Sequence, residues 1–136
     1  IVAGGGTALA KVSKKLAGTD TKMTSDERVG YDIVVRALEQ PLRQIALNCG
    51  KDDASVIVSK VQGGKATAGY DAVADEIIED MLDAGIIDPV KVTRGAVENA
   101  VSAAAILLTT EAAVADLPEP KEVPVGGAGG MGGMDF

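Results

Sequence analysis

The residues of this chain that could bind a ligand include a cluster of three glycines, Gly4, Gly5 and Gly6, just before a predicted helix. Glycines let a ligand approach the backbone closely, and the amides at a helix N-terminus favour an anion or a sugar. The same cluster is also typical of a tight bend with no ligand. The Gly-Lys-Ser or Gly-Lys-Thr triplet of a phosphate-binding P-loop is absent from the sequence.

Asp88 is a second candidate, because its carboxylate precedes Pro89 at the start of the longest predicted helix. A carboxylate at this point normally serves as an N-cap and interacts favourably with the helix dipole. A carboxylate beside a turn can also accept hydrogen bonds from the two hydroxyls of a ribose. Local spacing favours the capping role and leaves the ribose role open.

Tyr70 and Asp71 end the one predicted extended stretch, where they could stack on a base or form hydrogen bonds with it. A Gly-Tyr-Asp turn is also a common simple connection. Cys49 is predicted to be a small buried apolar residue, since no neighbour in sequence forms a catalytic pair with it. The acidic pairs Asp52-Asp53 and Glu79-Asp80 are predicted to be solvated. None of these residues is predicted to be a catalytic group or a metal ligand.

Composition excludes several classes of function. The net charge is −7, from 20 acidic and 13 basic residues, with no cluster of Lys and Arg, so we expect no nucleic-acid partner. Histidine is absent and cysteine occurs once, which excludes an internal disulfide and fits a reducing, cytoplasmic compartment. The longest apolar run, residues 103–108, is far shorter than a membrane span, so we expect no membrane partner.

The length of 136 residues predicts a single domain with an aliphatic core. Hydrophobic residues make up 46% of the chain but aromatic residues only 2%, which favours closely packed helices. The chain starts at Ile1 without an initiator methionine, and we expect it to be a processed or excised piece of a longer protein.

Hydrophobic periodicity predicts about six helices, with a loop or small hairpin at residues 65–71. The predicted helices are residues 7–16, 25–40, 42–47, 54–61, 75–82 and 90–109, and the break at Pro41 follows from its missing N–H donor. Asp52 or Asp53 should cap the fourth helix. The inward face predicted for the last helix consists of Val92, Ala96, Val97, Ala100, Ala104 and Leu107.

Beyond the helices, residues 86–89 are predicted to form a turn, and residues 111–117 a short strand or an extended arm. Three prolines then lead into a tail of glycine and methionine, residues 126–136, which cannot fold by itself. The prediction is an all-α multihelical bundle with one short extended or hairpin segment and a disordered tail.

Six motifs in order, taken together, resemble the bacterial group I chaperonin family over essentially the whole chain. They are Val-Ala-Gly-Gly-Gly at 2–6, Pro-Leu-Arg-Gln-Ile at 41–45, Leu-Asn-Cys-Gly at 47–50, Gly-Tyr-Asp at 69–71, Asp-Pro-Val-Lys-Val-Thr-Arg at 88–94, and the Gly-Gly-Met tail. The resemblance implies that residues 1–120 are the C-terminal segment of an equatorial ATPase domain, or about half of it. Residues 121–136 would be a flexible tail in the central cavity.

The resemblance also implies a function, that of an ATP-dependent molecular chaperone subunit. Such a protein folds non-native polypeptides in a double ring of identical subunits under a co-chaperonin lid. Nucleotide contacts carried over from the family fall on Gly5 and Asp88 at the ribose, and on Tyr70, Asp71, Ala72 and Val73 around the adenine. The ligands of Mg²⁺ and the catalytic groups would lie outside this chain, so the chain alone is expected to be inactive.

The chain departs from the family at residues 71–73, where the best-known member has Asn-Ala-Ala. An aspartate at position 71 can accept a hydrogen bond from the adenine amino group but cannot donate one to a ring nitrogen. An alternative function for the chain by itself is a non-enzymatic helical module that only oligomerises. In that case the glycines are bends and Asp88 is a cap.

Overall fold

The computed structural model describes residues 1–19 and 22–117, and these residues form a mainly helical fold. Its five helices are α1 (Thr7–Ala17), α2 (Ser25–Ala37), α3 (Gln40–Asn48), α4 (Ala54–Gly63) and α5 (Val90–Leu108). Its four short strands are β1 (Val2–Ala3), β2 (Gly69–Asp71), β3 (Glu76–Ile78) and β4 (Ile87–Asp88). The predicted helical fold class is thus confirmed, whereas the tail at 121–136 lies outside the described residues.

Local sequence signals set the starts of α2, α3 and α4. Thr24 and Glu27 form a capping box at the start of α2, in which the Thr24 N–H donates to the Glu27 carboxylate at 2.8 Å. Pro41 lies in the first turn of α3, where its missing N–H costs no helical hydrogen bond. Asp53 caps α4 by accepting from the Ser55 N–H at 2.9 Å. The predicted cap of α4 is therefore confirmed, and the break predicted at Pro41 occurs just before it, at Leu38 and Glu39.

The core lies between α1, α3 and α4, and it is aliphatic apart from one tyrosine. Its buried members are Ala10, Leu42, Ala46, Ala54, Val58, Val61 and Tyr70. The small residues Ala10, Ala46 and Ala54 keep the helices close together, as the shortage of aromatic residues predicts. Tyr70 brings strand β2 into the same core.

The helix predicted at residues 75–82 is wrong, because the first part of that segment is strand β3. This strand pairs antiparallel with β2, and Tyr70 lies opposite Ile77. Farther along, Asp80 accepts hydrogen bonds from the N–H groups of Leu82 and Asp83, which makes a turn instead of a helix. Asp80 is therefore half-buried, and its carboxylate is hydrogen-bonded to the backbone. The prediction that the pair Glu79-Asp80 is solvated is wrong for Asp80.

The segments at residues 1–6 and 86–89 form a second small sheet that the sequence did not predict. Strand β1 pairs antiparallel with β4, so that Val2 lies opposite Asp88 and Ala3 opposite Ile87. The predicted turn at 86–89 is therefore a strand leading directly into α5. Residues 111–117 form no strand and are exposed, with 98% of Val114 accessible.

Helix α5 has the predicted length but not the predicted burial. None of its residues is buried within the described part of the chain, and Val92 and Leu107 are 63% and 67% exposed. Four of its six predicted inward residues, Ala96, Val97, Ala100 and Ala104, instead line an open apolar groove against α2. The groove has a volume of about 590 Å³ and is lined by Leu9, Gly30, Ile33, Val34, Ala37, Leu38, Pro41, Ala96, Val97, Ala100, Val101, Ala104, Ala105 and Leu108.

Candidate functional site

The glycine bend at residues 4–6 joins β1 to α1 and requires glycine for steric reasons. The Gly4 N–H donates to the Ile86 carbonyl at 2.9 Å, and a Cβ on Gly4 would lie 3.1 Å from that carbonyl. Gly5 and Gly6 have φ values of 60° and 75°, in the left-handed region that other residues avoid. The interpretation of this cluster as a tight bend is confirmed.

Gly5 differs from Gly4 and Gly6 because a Cβ built on Gly5 would not clash with any backbone atom. A Cβ built there would lie 3.7 Å from Met81 Cε and 3.9 Å from the Tyr70 carbonyl oxygen, which are ordinary contact distances. Gly5 therefore lies beside strand β2, while the preceding strand β1 pairs with the strand that carries Asp88.

The β2–β3 hairpin ends in a four-residue tip, residues 72–75, between the paired residues Asp71 and Glu76. Asp71 closes the tip, because its Oδ1 accepts from the N–H groups of Val73 and Ala74 at 2.8 and 3.1 Å. Ala72 packs against the core, whereas Val73 is 98% exposed. Of the residues predicted around the adenine, Ala72 and Val73 therefore lie on the tip in different environments, and Asp71 directly precedes it.

Tyr70 is buried, with 2% of its surface accessible, and so its ring cannot stack on a base. The stacking role considered for this residue is wrong, since the ring fills the core. Burial, together with the hydrogen bond from the hydroxyl to Asp75 Oδ1 at 2.8 Å, raises the pKa of Tyr70 to about 12. The Tyr70 ring thus fixes the hairpin to the core, and its hydroxyl binds the last residue of the hairpin tip.

Asp88 lies in strand β4 and does not cap helix α5. The N-cap of α5 is Pro89, which forms no side-chain capping bond, so the predicted capping role is wrong. The physical reason is the pairing of Asp88 with Val2, which keeps residue 88 in an extended strand. Within the part of the chain that the structure describes, the half-buried Asp88 carboxylate accepts no hydrogen bond.

Cys49 is exposed, in contrast to the buried position predicted for it. Its Sγ lies 3.7 Å from the Ala72 carbonyl oxygen, a weak hydrogen bond between the end of α3 and the hairpin tip. The thiol remains accessible because α3 ends at the surface.

Two residues near the hairpin were missed by sequence reasoning, and both are explained by tertiary contacts. Asp75 has a φ of 59°, the one positive φ outside glycine in the described ranges, and it forms an ion pair with Lys51. Lys51 and Asp75 also line a cavity of about 430 Å³ with Ile57, Lys60, Tyr70, Glu76 and Ile77. The sequence does contain a signal for this hairpin tip, because the short turn has an aspartate at each end, Asp71 and Asp75.

Thr7 shows how tightly the first helix packs against the hairpin. Its side chain is fully buried, and its Oγ1 has no hydrogen-bond partner among the described residues. A Cβ on Gly69 would approach that oxygen to 2.5 Å, so glycine is required on strand β2 at this contact. The start of α1, the glycine bend and the hairpin therefore form one packed unit.

The structure places Gly5 close to strand β2 and to the small sheet that contains Asp88. Gly5 lies beside Tyr70, and Asp71 follows Tyr70 on the same strand. Across residues 1–19 and 22–117, no group of three or more Cys, Asp or Glu side chains could hold a metal ion. No helix in those same ranges is long and apolar enough to span a bilayer.

Comparison with known proteins decides the family. The sequence model of the TCP-1/cpn60 chaperonin family matches residues 1–118. This chain belongs to the TCP-1/cpn60 chaperonin family. The resemblance to chaperonins is thereby confirmed at the level of the family, and the assignment to group I remains a prediction.

Part of a solved chaperonin structure has the same fold as this chain. It is the open-state monomer of a group II chaperonin from Methanococcoides burtonii, with a TM-score of 0.72 and 24% sequence identity. The match covers 80% of this chain but only 28% of that chaperonin. The helical fold thus agrees with that of a fragment of a chaperonin equatorial domain.

Proposed function

We propose that this chain forms one side of the ATP-binding pocket in a group I chaperonin subunit that folds proteins. Residues 1–120 are the C-terminal segment of the equatorial domain, and residues 121–136 are a tail in the folding cavity. The parent protein works in the cytoplasm as a double ring of identical subunits. It binds non-native polypeptides, closes under a co-chaperonin lid and hydrolyses ATP with Mg²⁺.

The observation that carries this proposal is the position of Gly5 between two elements that bear carboxylates. On one side lies strand β2 with Asp71 at its end, and on the other lies the sheet that contains Asp88. A residue without a side chain gives a ribose room to approach the backbone at this point. The order of the six motifs supports group I, whereas the likeness to a group II structure concerns the fold alone.

Each residue has a binding role in this proposal, and none is catalytic. The Asp88 carboxylate accepts hydrogen bonds from the ribose hydroxyls, and no protein hydrogen bond in the described residues competes for it. Asp71 uses Oδ1 to close the hairpin tip and keeps its other oxygen for the adenine amino group. Backbone groups of Ala72 and Val73 complete the contacts with the base.

The phosphates and Mg²⁺ require groups that this chain does not provide. We place those groups, and the residues that activate water, in the remaining part of the subunit. ATP with Mg²⁺ supplies the free energy for the folding cycle when it is bound there. We therefore expect no ATP turnover by the 136-residue chain alone and at most weak ATP binding.

The direct test is the substitution Asp88→Ala in the assembled full-length subunit. Loss of a charged hydrogen-bond pair should weaken ATP binding by about 1–3 kcal/mol, measured by calorimetric titration. The matched control is Asp83→Ala, which removes an exposed aspartate on the preceding turn. Unchanged affinity in the Asp88 variant, or ATP turnover by the isolated chain, would contradict the proposal.

A second candidate function, for the chain by itself, is a non-enzymatic helical module that oligomerises. The apolar groove between α2 and α5 favours it, because apolar surface of this extent promotes association. Sedimentation of the pure chain tests this candidate, since a stable monomer at high concentration is the result that opposes it.

A further inference from the structure

Three side chains connect the end of helix α3 to the β2–β3 hairpin. Lys51 Nζ lies 2.5 Å from Asp75 Oδ2, and the Tyr70 hydroxyl donates to Asp75 Oδ1 at 2.8 Å. Each carboxylate oxygen therefore has its own donor. Because the Tyr70 ring is buried in the core, the connection runs from the core through Asp75 to the helix end.

The Lys51 backbone is itself fixed by the C-terminus of α3. Gly50 has a φ of 79°, its N–H donates to the Leu47 carbonyl at 2.9 Å, and the Lys51 N–H donates to the Ala46 carbonyl at 3.1 Å. These two bonds form a Schellman motif, which ends a helix in a defined geometry. The backbone position from which the Lys51 side chain extends is thus fixed.

A second contact joins the same helix end to the other side of the hairpin tip. Cys49 Sγ lies 3.7 Å from the Ala72 carbonyl oxygen, while Ala72 packs against the core. The end of α3 therefore contacts the tip at Ala72, its first residue, and at Asp75, its last. The four-residue tip that contains Val73 is therefore held at both ends, and Asp71 directly precedes it.

The backbone of Asp75 shows why this residue matters for the shape of the tip. Its φ of 59° is in the left-handed region, which aspartate and asparagine tolerate better than most residues. This conformation turns the chain back into strand β3 and so determines where residues 71–73 lie.

We propose that Asp75, held by Lys51 and Tyr70, is a positioning residue. It fixes the tip residues Ala72 and Val73, and the adjacent Asp71, for contact with the nucleotide base. This role rests on the nucleotide-binding function proposed above. The side chains of Lys51 and Asp75 are 33% and 53% exposed, and ion pairs this exposed add little to global stability. The effect therefore falls on ATP binding and hardly on the melting temperature.

The test uses Asp75→Asn and Lys51→Met, singly and together, in the assembled full-length subunit. Asparagine keeps the left-handed preference and one acceptor oxygen for Tyr70, but it places an NH₂ donor where Asp75 Oδ2 accepted from Lys51, so both the charge and the Lys51 hydrogen bond are removed. We expect each single variant to raise the KM for ATP about three- to tenfold with kcat unchanged, and the double variant to add little more. The hairpin amides of Val73 and Ala74 should also exchange faster.

The control is Lys65→Met, which breaks the ion pair between Lys65 and Glu79 near the base of the same hairpin. That pair is more exposed, at 70% and 81%, and it does not contact the tip. The control should keep the wild-type KM. Equal KM changes in the control, or additive effects of Asp75→Asn and Lys51→Met, would overturn the positioning role.

The outcomes separate the positioning role from the nucleotide-binding function. If the assembled wild-type protein binds no ATP, both proposals are wrong. If Asp88→Ala weakens ATP binding while Asp75→Asn and Lys51→Met leave the KM unchanged, only the positioning role is wrong. If Asp75→Asn does not assemble, Lys51→Met decides alone, because it leaves the turn backbone intact.

Discussion

Gly6 faces the backbone of Leu42 so closely that a Cβ on Gly6 would lie 2.6 Å from the Leu42 nitrogen. This contact joins the glycine bend to the first turn of α3, immediately after Pro41. Since the neighbouring atoms belong to the backbone of a helix, they cannot move aside without shifting that helix. The bend beside the proposed ribose position is therefore fixed by packing.

Gly6→Ala should destabilise the protein strongly. The new methyl group combines the clash with Leu42 and the φ of 75°, and together we expect a loss of about 2–4 kcal/mol in the free energy of unfolding. Urea denaturation measures the loss. Gly30→Ala is the control, because a Cβ there meets nothing within 4 Å and should stabilise helix α2 by about 0.5–1 kcal/mol. Equal stability of the two variants would contradict this argument.

The stability of the protein should fall at high pH through the ionisation of Tyr70. Its pKa is raised from 10.0 to about 12 by burial and by the hydrogen bond to Asp75, so the unfolded chain loses the Tyr70 proton first. The stabilisation is complete below pH 10 and is lost as the pH rises through about 12. Urea denaturation at several pH values should show a shallower decrease for Tyr70→Phe than for wild type, and identical slopes would refute this assignment.

Asp75 should produce the opposite dependence in acid. The hydrogen bonds from Lys51 and then Tyr70 lower the pKa of the Asp75 carboxyl below 3.8. A lowered pKa means that its stabilisation is present above pH 3.8 and is lost as the pH falls through the folded-state value. Asp75→Asn should flatten the acid limb of the stability curve only slightly, because its ion pair with Lys51 is exposed and adds little to global stability; Glu76→Gln, on the adjacent residue, is the control.

The α2–α5 groove should drive association of the isolated chain. A charge placed inside it must lose water when the groove is covered, so Val97→Glu should weaken self-association roughly tenfold or more. Asn99→Glu adds the same charge to α5 at a position that does not line the groove, and it should retain association. Sedimentation velocity over a concentration series compares the two, and equal weakening in both would place the interface elsewhere.

Removal of residues 126–136 should affect substrate folding more than nucleotide affinity. This segment lies outside the described residues, and its composition of glycine and methionine predicts weak contacts with many surfaces. In the assembled full-length subunit, the deletion should change the refolding yield of a denatured substrate and leave the ATP affinity at its wild-type value. A large loss of ATP affinity would contradict this division of roles.

Local sequence signals were sufficient to predict helices α2 and α4 and the break between α2 and α3. The start of α2 at Ser25, the cap at Asp53 and the helix break beside Pro41 depend on neighbours within one turn, and the structure has all three, with the break just before the proline. The family resemblance also came from sequence, because it depends on the order of short motifs. The ligand-binding roles of Gly5, Asp71, Ala72, Val73 and Asp88 stay predictions.

The conformations of residues whose partners are distant in sequence could be read from the tertiary structure alone. Residues 76–78 are a strand because β2 offers unpaired backbone groups, and Asp88 is in a strand because Val2 lies opposite it. Tyr70 is buried because α4 packs against strand β2, and Cys49 is exposed because it lies at the surface end of α3. Such pairings join residues far apart in the chain, and local propensity and hydrophobic periodicity do not predict them.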